Sequence, residues 1–247
     1  MSHRNTFQII GHRGAAAHAP ENTLISFQTA IDMGATMLEL DVHLSKDREL
    51  IVIHDPEITR TTSGSGYVSD LAFADILRYD AGSWKDPVFE GEKVPTLQDV
   101  LKLAQKGTYL NIELKAGEQL YDGLVDKTLD AIREFGVLDM IIISSFHREY
   151  LEDVKQKSPD LEVALLYSTD IPDVLREVAE CGWEGLHPHF HLVDENLVET
   201  ARELGLCVRP WTVNETIDME RFIRLGVDGV ITDYPDVLKA SAAGPNI

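Results

Sequence analysis

Short apolar runs alternate with stretches of helical periodicity along the whole chain. Runs rich in β-branched and aromatic residues lie at 6–11 (TFQIIG), 36–42 (TMLELDV), 108–114 (TYLNIEL), 140–144 (MIIIS), 162–167 (EVALLY), 183–187 (WEGLH), 206–211 (LCVRPW) and 228–232 (DGVIT). Between most of them, apolar residues recur at helical spacing. In NTLISFQTAIDMG, Leu24, Phe27 and Ile31 share one face, with Asn22 as the expected N-cap and Gly34 as the stop. Segment 120–136 repeats the arrangement with Leu120, Leu124, Leu129 and Ile132, and 192–205 and 216–226 follow suit. Strand–helix alternation of this kind predicts parallel βα units. Eight such strands in 247 residues favour a (β/α)8 TIM barrel over an open doubly wound sheet.

One connection is too long. About 65 residues separate the second run from the third, where a barrel unit usually needs roughly half that. Part of the excess, HLSKDRELIVIHD, reads as a hairpin that extends strand two. The remainder is polar and turn-rich, and predicts a small insertion at 55–94 over the barrel mouth of a single domain spanning 1–247. No consensus recurs along the chain, which excludes a solenoid.

Two strands break the rule that buried parallel strands are apolar on both faces. In MLELDVHL, Leu38, Leu40, Val42 and Leu44 share one face, and Glu39, Asp41 and His43 the other. In YLNIELK, Leu110, Ile112 and Leu114 oppose Asn111, Glu113 and Lys115. If the apolar faces meet the helices, the charges point into the barrel. Three carboxylates buried together need compensation. Glu39, Asp41 and Glu113 offer oxygen only, which suits a hard divalent cation, Mg²⁺ or Ca²⁺. The alternative is solvated charges or ion pairs with Lys115.

His54 closes LIVIH. A four-residue hairpin turn (Lys46 to Glu49) sets it across from Asp41; a three-residue turn pairs it with Leu40. His12 ends the neighbouring first strand, so two imidazoles flank the carboxylate cluster. Phosphodiester cleavage needs one base for the attacking oxygen and one acid for the leaving alkoxide, and two histidines supply both near neutral pH. Arg13 can grip a phosphate oxygen with its fork, and Lys115 adds a point charge.

The net charge of −20 repels nucleic acid and anionic lipid, so neither is an expected partner, and any phosphate substrate must be drawn in by local cations or a metal. Two cysteines, Cys181 and Cys207, are too few for a disulfide framework. The N-terminal apolar run is too short for a signal peptide or a span, so a cytoplasmic location without stable membrane association is expected.

Together HRG…ENT (12–14, 21–23), E-L-D (39–41), HD (54–55), E-L-K (113–115), RPWTVN (209–214) and GVDGVITDYP (226–235) resemble the glycerophosphodiester phosphodiesterase family over the whole chain. The resemblance implies a TIM barrel that hydrolyses glycerophosphodiesters to glycerol 3-phosphate and an alcohol such as choline or ethanolamine. It implies His12 and His54 as the acid/base pair, Glu39, Asp41 and Glu113 as metal ligands, and Arg13 and Lys115 as phosphate contacts. Trp211 would line the pocket with help from Phe146; read alone, Trp211 is equally well a core side chain. HPHFH (187–191) presents His187, His189 and His191 in alternation, a pattern that invites a second, zinc-type site; an exposed loop is the expectation. A lysophospholipase D would need an apolar groove or docking surface, and no basic amphipathic helix stands out. A non-catalytic phosphate-binding barrel is opposed by the completeness of the motifs. An enolase-type site would need carboxylates on successive later strands, where only Asp233 is placed.

Overall fold

The computed structural model describes residues 6–244; the first five residues of the N-terminal run and the last three of the chain lie outside them. The strands are β1 (Gln8–Gly11), β2 (Met37–Leu44), β3 (Leu50–Val52), β4 (Tyr109–Leu114), β5 (Ile141–Ser145), β6 (Glu162–Tyr167), β7 (Gly185–Pro188), β8 (Cys207–Val208) and β9 (Gly229–Thr232). The first helix is α1 (Leu24–Met33), and a short α2 (Phe73–Ile76) follows the hairpin. The rest are α3 (Leu97–Ala104), α4 (Leu124–Phe135), α5 (Arg148–Lys157), α6 (Val174–Glu180), α7 (Glu195–Glu203), α8 (Thr216–Leu225) and α9 (Pro235–Ala242). The parallel order β8-β7-β6-β5-β4-β2-β1-β9, with β3 antiparallel on β2, contains all eight expected strands. The ring closes between β8 and β9 through irregular bonds: Asp228 N donates to Val208 O (3.0 Å) and Ile231 N to Pro210 O (3.0 Å). Pro210 has no amide hydrogen to return, so a regular ladder cannot form there. The protein is a TIM barrel.

The alternation in β2 and β4 decides what faces where. Leu38, Leu40, Val42, Leu110, Ile112 and Leu114 lie in the main core beneath the helices. A smaller apolar layer of Ile10, Met37, Ile142, Ala164 and Ile231 fills the barrel interior. Below it, fully buried Arg209 donates to Gln8 (2.8 Å) and pairs with Glu162 (3.0 Å). In the segment after the hairpin, Ile58, Val68, Ile76, Ala81 and Val94 form a separate cluster with Ile51 and Ile53.

Several local readings change. The cap of α1 is Thr23, whose hydroxyl accepts from Ser26 N, and not Asn22. Asn22 adopts a left-handed backbone (φ 57°) and turns its amide inward. Gly34 does end α1, at φ 100°. Leu24 and Leu120 are exposed; Leu120 lies before α4, where the chain has not yet entered the helix. The hairpin has the three-residue turn: Val42 pairs with Val52, Leu44 with Leu50, and Ser45 N donates to Glu49 O (3.0 Å). Arg48 takes the left-handed position such turns require (φ 66°). No helix among the described residues is long and apolar enough to cross a membrane.

Candidate active site

The carboxyl ends of the strands surround a cavity of about 140 Å³. His12, Arg13, Glu39, His54, Glu113 and Lys115 form its polar side, and Phe146, Leu166, Trp211 and Ile231 its apolar side. Asp41 lies just behind, almost wholly buried. The structure thus gathers all nine residues singled out in the sequence.

The turn after β1 is built to deliver two of them. Arg13 and Asn22 both carry positive φ (52° and 57°), a conformation that side-chain-bearing residues hold only when the surroundings impose it. Gly14, at φ 90°, is obligatory because a Cβ there would lie 2.3 Å from Ser26 Oγ. Arg13 is anchored at both ends: its backbone N donates to Glu39 (2.9 Å), and its guanidinium reaches Glu21 (2.7 Å) and Asp41 (3.4 Å). Asn22 Nδ2 donates to Asp41 Oδ2 (2.8 Å).

The carboxylates are a strained set. Burial opposes ionisation of Asp41, yet Lys115 and Arg13 hold it well below the usual carboxylate range. Burial, opposed by Lys115 and reinforced by Asp41, pushes Glu113 up to about 7. Burial with Asp41 and Glu113 raises Glu39 as well. Lys115 donates to Glu113 (2.7 Å) and stands 3.4 Å from Asp41 Oδ1, an oxygen that is buried yet accepts no hydrogen bond. One oxygen from each of Glu39, Asp41 and Glu113 falls within 4.8 Å of the others. A buried, oxygen-only trio with an unpartnered lone pair fits a hard divalent cation.

A stability test follows from Glu113. Its folded-state value of about 7 lies above the ordinary 4.5. Between those values the metal-free folded chain binds more protons than the unfolded one, so its stability falls as pH rises through that window. A cation on the trio offsets the repulsion and competes with protons. Added Mg²⁺ or Ca²⁺ is therefore expected to raise the Tm of EDTA-treated protein more at pH 8 than at pH 6. Equal gains in thermal unfolding at both pH values would refute the trio as the site of binding.

Both histidines are oriented by carboxylates the sequence reading missed. His12 Nδ1 donates to Asp233 Oδ1 (2.6 Å), and His54 Nδ1 to Asp55 Oδ1 (2.6 Å). An ionised carboxylate only accepts, so each Nδ1 carries hydrogen and Nε2 is the free nitrogen of a ring lining the cavity. Asn214 fixes Asp233: its Nδ2 donates to Oδ2 (2.7 Å), and its Oδ1 accepts from Asp233 N (3.0 Å) and Thr232 Oγ1 (3.2 Å). Arg60 grips Asp55 (2.6 Å) and also Glu21 (2.8 Å), tying the segment after the hairpin to the partner of Arg13. Burial lowers His54, keeping it neutral near pH 7 despite Asp41. His43, pushed down to about 4 by burial, is neutral too. Its Nε2 must donate to the His54 carbonyl (2.9 Å), so its Nδ1 accepts from the Tyr121 hydroxyl (2.9 Å).

Trp211 is wedged edge-on between Phe146 (5.5 Å) and His189 (5.2 Å), with Nε1 donating to His187 O (2.7 Å). The 187–191 run is not an exposed loop throughout. His187 belongs to β7 and is fully buried, where desolvation and Arg209 push it down to about 3. His189 and His191 flank Phe190 in a short turn, and among the described residues Glu39, Asp41 and Glu113 are the one group that could hold a metal ion.

A family model for the glycerophosphoryl diester phosphodiesterase family matches residues 12–237. A glycerophosphodiester phosphodiesterase of Caldanaerobacter subterraneus subsp. tengcongensis is 41% identical over 93% of this chain and 95% of its own. A phosphodiesterase of Oleispira antarctica, solved with the product sn-glycerol-3-phosphate, superposes with a TM-score of 0.93 at 29% identity, over 99% of this chain and 100% of that one. Human lysophospholipase D GDPD1 is 24% identical over 93% of this chain and 84% of its own length. With a family model matching residues 12–237 and a relative 41% identical over nearly its whole length, the chain belongs to the glycerophosphoryl diester phosphodiesterase family.

Proposed function

We propose that the protein hydrolyses small glycerophosphodiesters, such as glycerophosphocholine or glycerophosphoethanolamine, to glycerol 3-phosphate and the free alcohol. The observation that carries the reading is the pairing of two carboxylate-oriented imidazoles, His12 and His54, across a cavity that also holds Arg13 and Lys115. Arg13 and Lys115 bind the phosphate oxygens and cancel the repulsion of a surface at net −20. One imidazole Nε2 takes the proton of the attacking oxygen, and the other returns a proton to the alkoxide as its P–O bond breaks. Glu39, Asp41 and Glu113 would hold a divalent cation, Mg²⁺ or Ca²⁺, which when bound neutralises phosphate charge and stabilises the transition state. Trp211 and Phe146 pack against the carbon skeleton of the substrate.

In this reading the chain is one catalytic domain that acts on a small molecule in the cytoplasm. Segment 55–94 would lie over the barrel mouth, a reading supported by Arg60 donating to Glu21 (2.8 Å) and Lys85 Nζ donating to Ala16 O (2.7 Å). The test is release of glycerol 3-phosphate from glycerophosphocholine, with EDTA and with Mg²⁺ or Ca²⁺ restored. Cation-dependent release is expected. No release from any small diester would overturn the proposal, and release from lysophospholipids alone would shift it to the lysophospholipase D class.

A further inference from the structure

Asn111 sits on the inner face of β4, two positions before Glu113 and paired in register with Glu39. It is completely buried and lines the cavity. Neither its Oδ1 nor its Nδ2 has a hydrogen-bond partner within the chain. A buried amide with both ends unpaired is rare, because each unmet group forfeits its solvation. Its position narrows what it serves. Two residues along a strand place Asn111 about 6.6 Å deeper than Glu113. Asn111 is also one methylene shorter than Glu39 beside it, so its amide lies beneath the carboxylates, in register with Ile142 of the interior apolar layer.

We infer that Asn111 is a specificity-determining contact to a hydroxyl of the glycerol moiety, an inference that rests on the function proposed above. A phosphodiester held by Arg13 and Lys115 at the strand ends sends one substituent down to the floor and the other out through the mouth. The floor is closed by the interior apolar layer, so it takes the small invariant group, and the variable alcohol faces solvent. Glycerol brings hydroxyls that donate and accept, which is what an unpaired amide supplies, and CH groups that suit Trp211 and Ile231. A phosphate, bearing acceptors only, can pair with Nδ2 but leaves Oδ1 without a donor. A site whose buried polar group waits for a substrate hydroxyl rejects analogues that lack it, because the amide is then left unpaired.

The experiment is calorimetric titration of Mg²⁺-loaded protein with sn-glycerol 3-phosphate, propyl phosphate and inorganic phosphate, for wild type, Asn111→Leu and Asn111→Ala. Metal-free samples are titrated with Mg²⁺, and thermal unfolding is measured on each. Loss of one buried hydrogen bond is expected to weaken glycerol 3-phosphate by about 10- to 100-fold. Binding of propyl phosphate, phosphate and Mg²⁺ is expected to stay within twofold. Removing an unpaired buried amide should also raise the Tm of Asn111→Leu by about 2–4 °C, the opposite of what a structural asparagine predicts. Unchanged glycerol 3-phosphate affinity, an equal loss for propyl phosphate, or a weakened Mg²⁺ site would each overturn the inference. If Asn111→Leu fails to fold, Asn111→Ala decides by the same ratios. Wild type that binds phosphate and Mg²⁺ but not glycerol 3-phosphate would instead overturn the proposed function, and this inference with it.

Discussion

His12→Ala is expected to lower kcat for glycerophosphodiester hydrolysis by about 10²- to 10⁴-fold, the usual worth of a positioned acid or base. The KM should change little, since in the proposed function Arg13 and Lys115 would still hold the phosphate. The same logic grades the residues behind the ring. Asp233→Asn keeps an acceptor for Nδ1–H but loses its charge and its fixed acceptor role, so a kcat loss of about 10- to 10³-fold is expected. Asn214→Ala leaves Asp233 charged but free to swing, and its loss should be smaller. Nitrogen chemical shifts of His12 report the tautomer: hydrogen on Nδ1 in the wild type, a mixture in Asp233→Ala. An alanine at 12 that retains more than a fifth of wild-type kcat would remove His12 from the reaction.

The second large effect concerns the trio, where equal losses of activity should come with unequal changes in stability. EDTA treatment, Asp41→Asn and Glu113→Gln are each expected to bring turnover to background, and Mg²⁺ or Ca²⁺ should restore only the EDTA-treated wild type. Asp41 is ionised between Lys115 and Arg13. Neutralising it leaves two cations poorly compensated in a mostly buried site, and breaking such a pair costs about 3–5 kcal/mol. Glu113 resists ionisation, so Glu113→Gln should leave the metal-free chain as stable as wild type or more so. Denaturant titrations without metal would detect the contrast. If both variants destabilise equally, the division of charge described here is wrong.

Much of this site could be read before the fold was known, because strand alternation is a two-residue code. A run such as MLELDVHL with carboxylates on one face and leucines on the other has only one sensible burial inside a barrel. The hairpin register could not be read, since two turn lengths fit the residues; the left-handed Arg48 selects the shorter. The sequence cannot choose a role for Asn22, because an asparagine before a helix is as good a cap as it is a donor to a carboxylate. Here Thr23 took the cap and freed Asn22 for Asp41. His187 both ends the 183–187 run and opens HPHFH, and its place in β7 turns it inward. Asp233 and Asn214 carry no local pattern that points to His12; their roles exist only once distant strands meet.

That last point bears on synthesis. His12 leaves the first strand of the barrel and Asp233 follows the last, 221 positions later. Contacts of such long range cost loop-closure entropy and go with slower folding. A chain emerging from the ribosome therefore displays its HRG turn long before the partner of His12 exists. The carboxylate that orients His12 is in place only when β9 has docked on β1, so the orientation of this imidazole and completion of the ring arrive in one step.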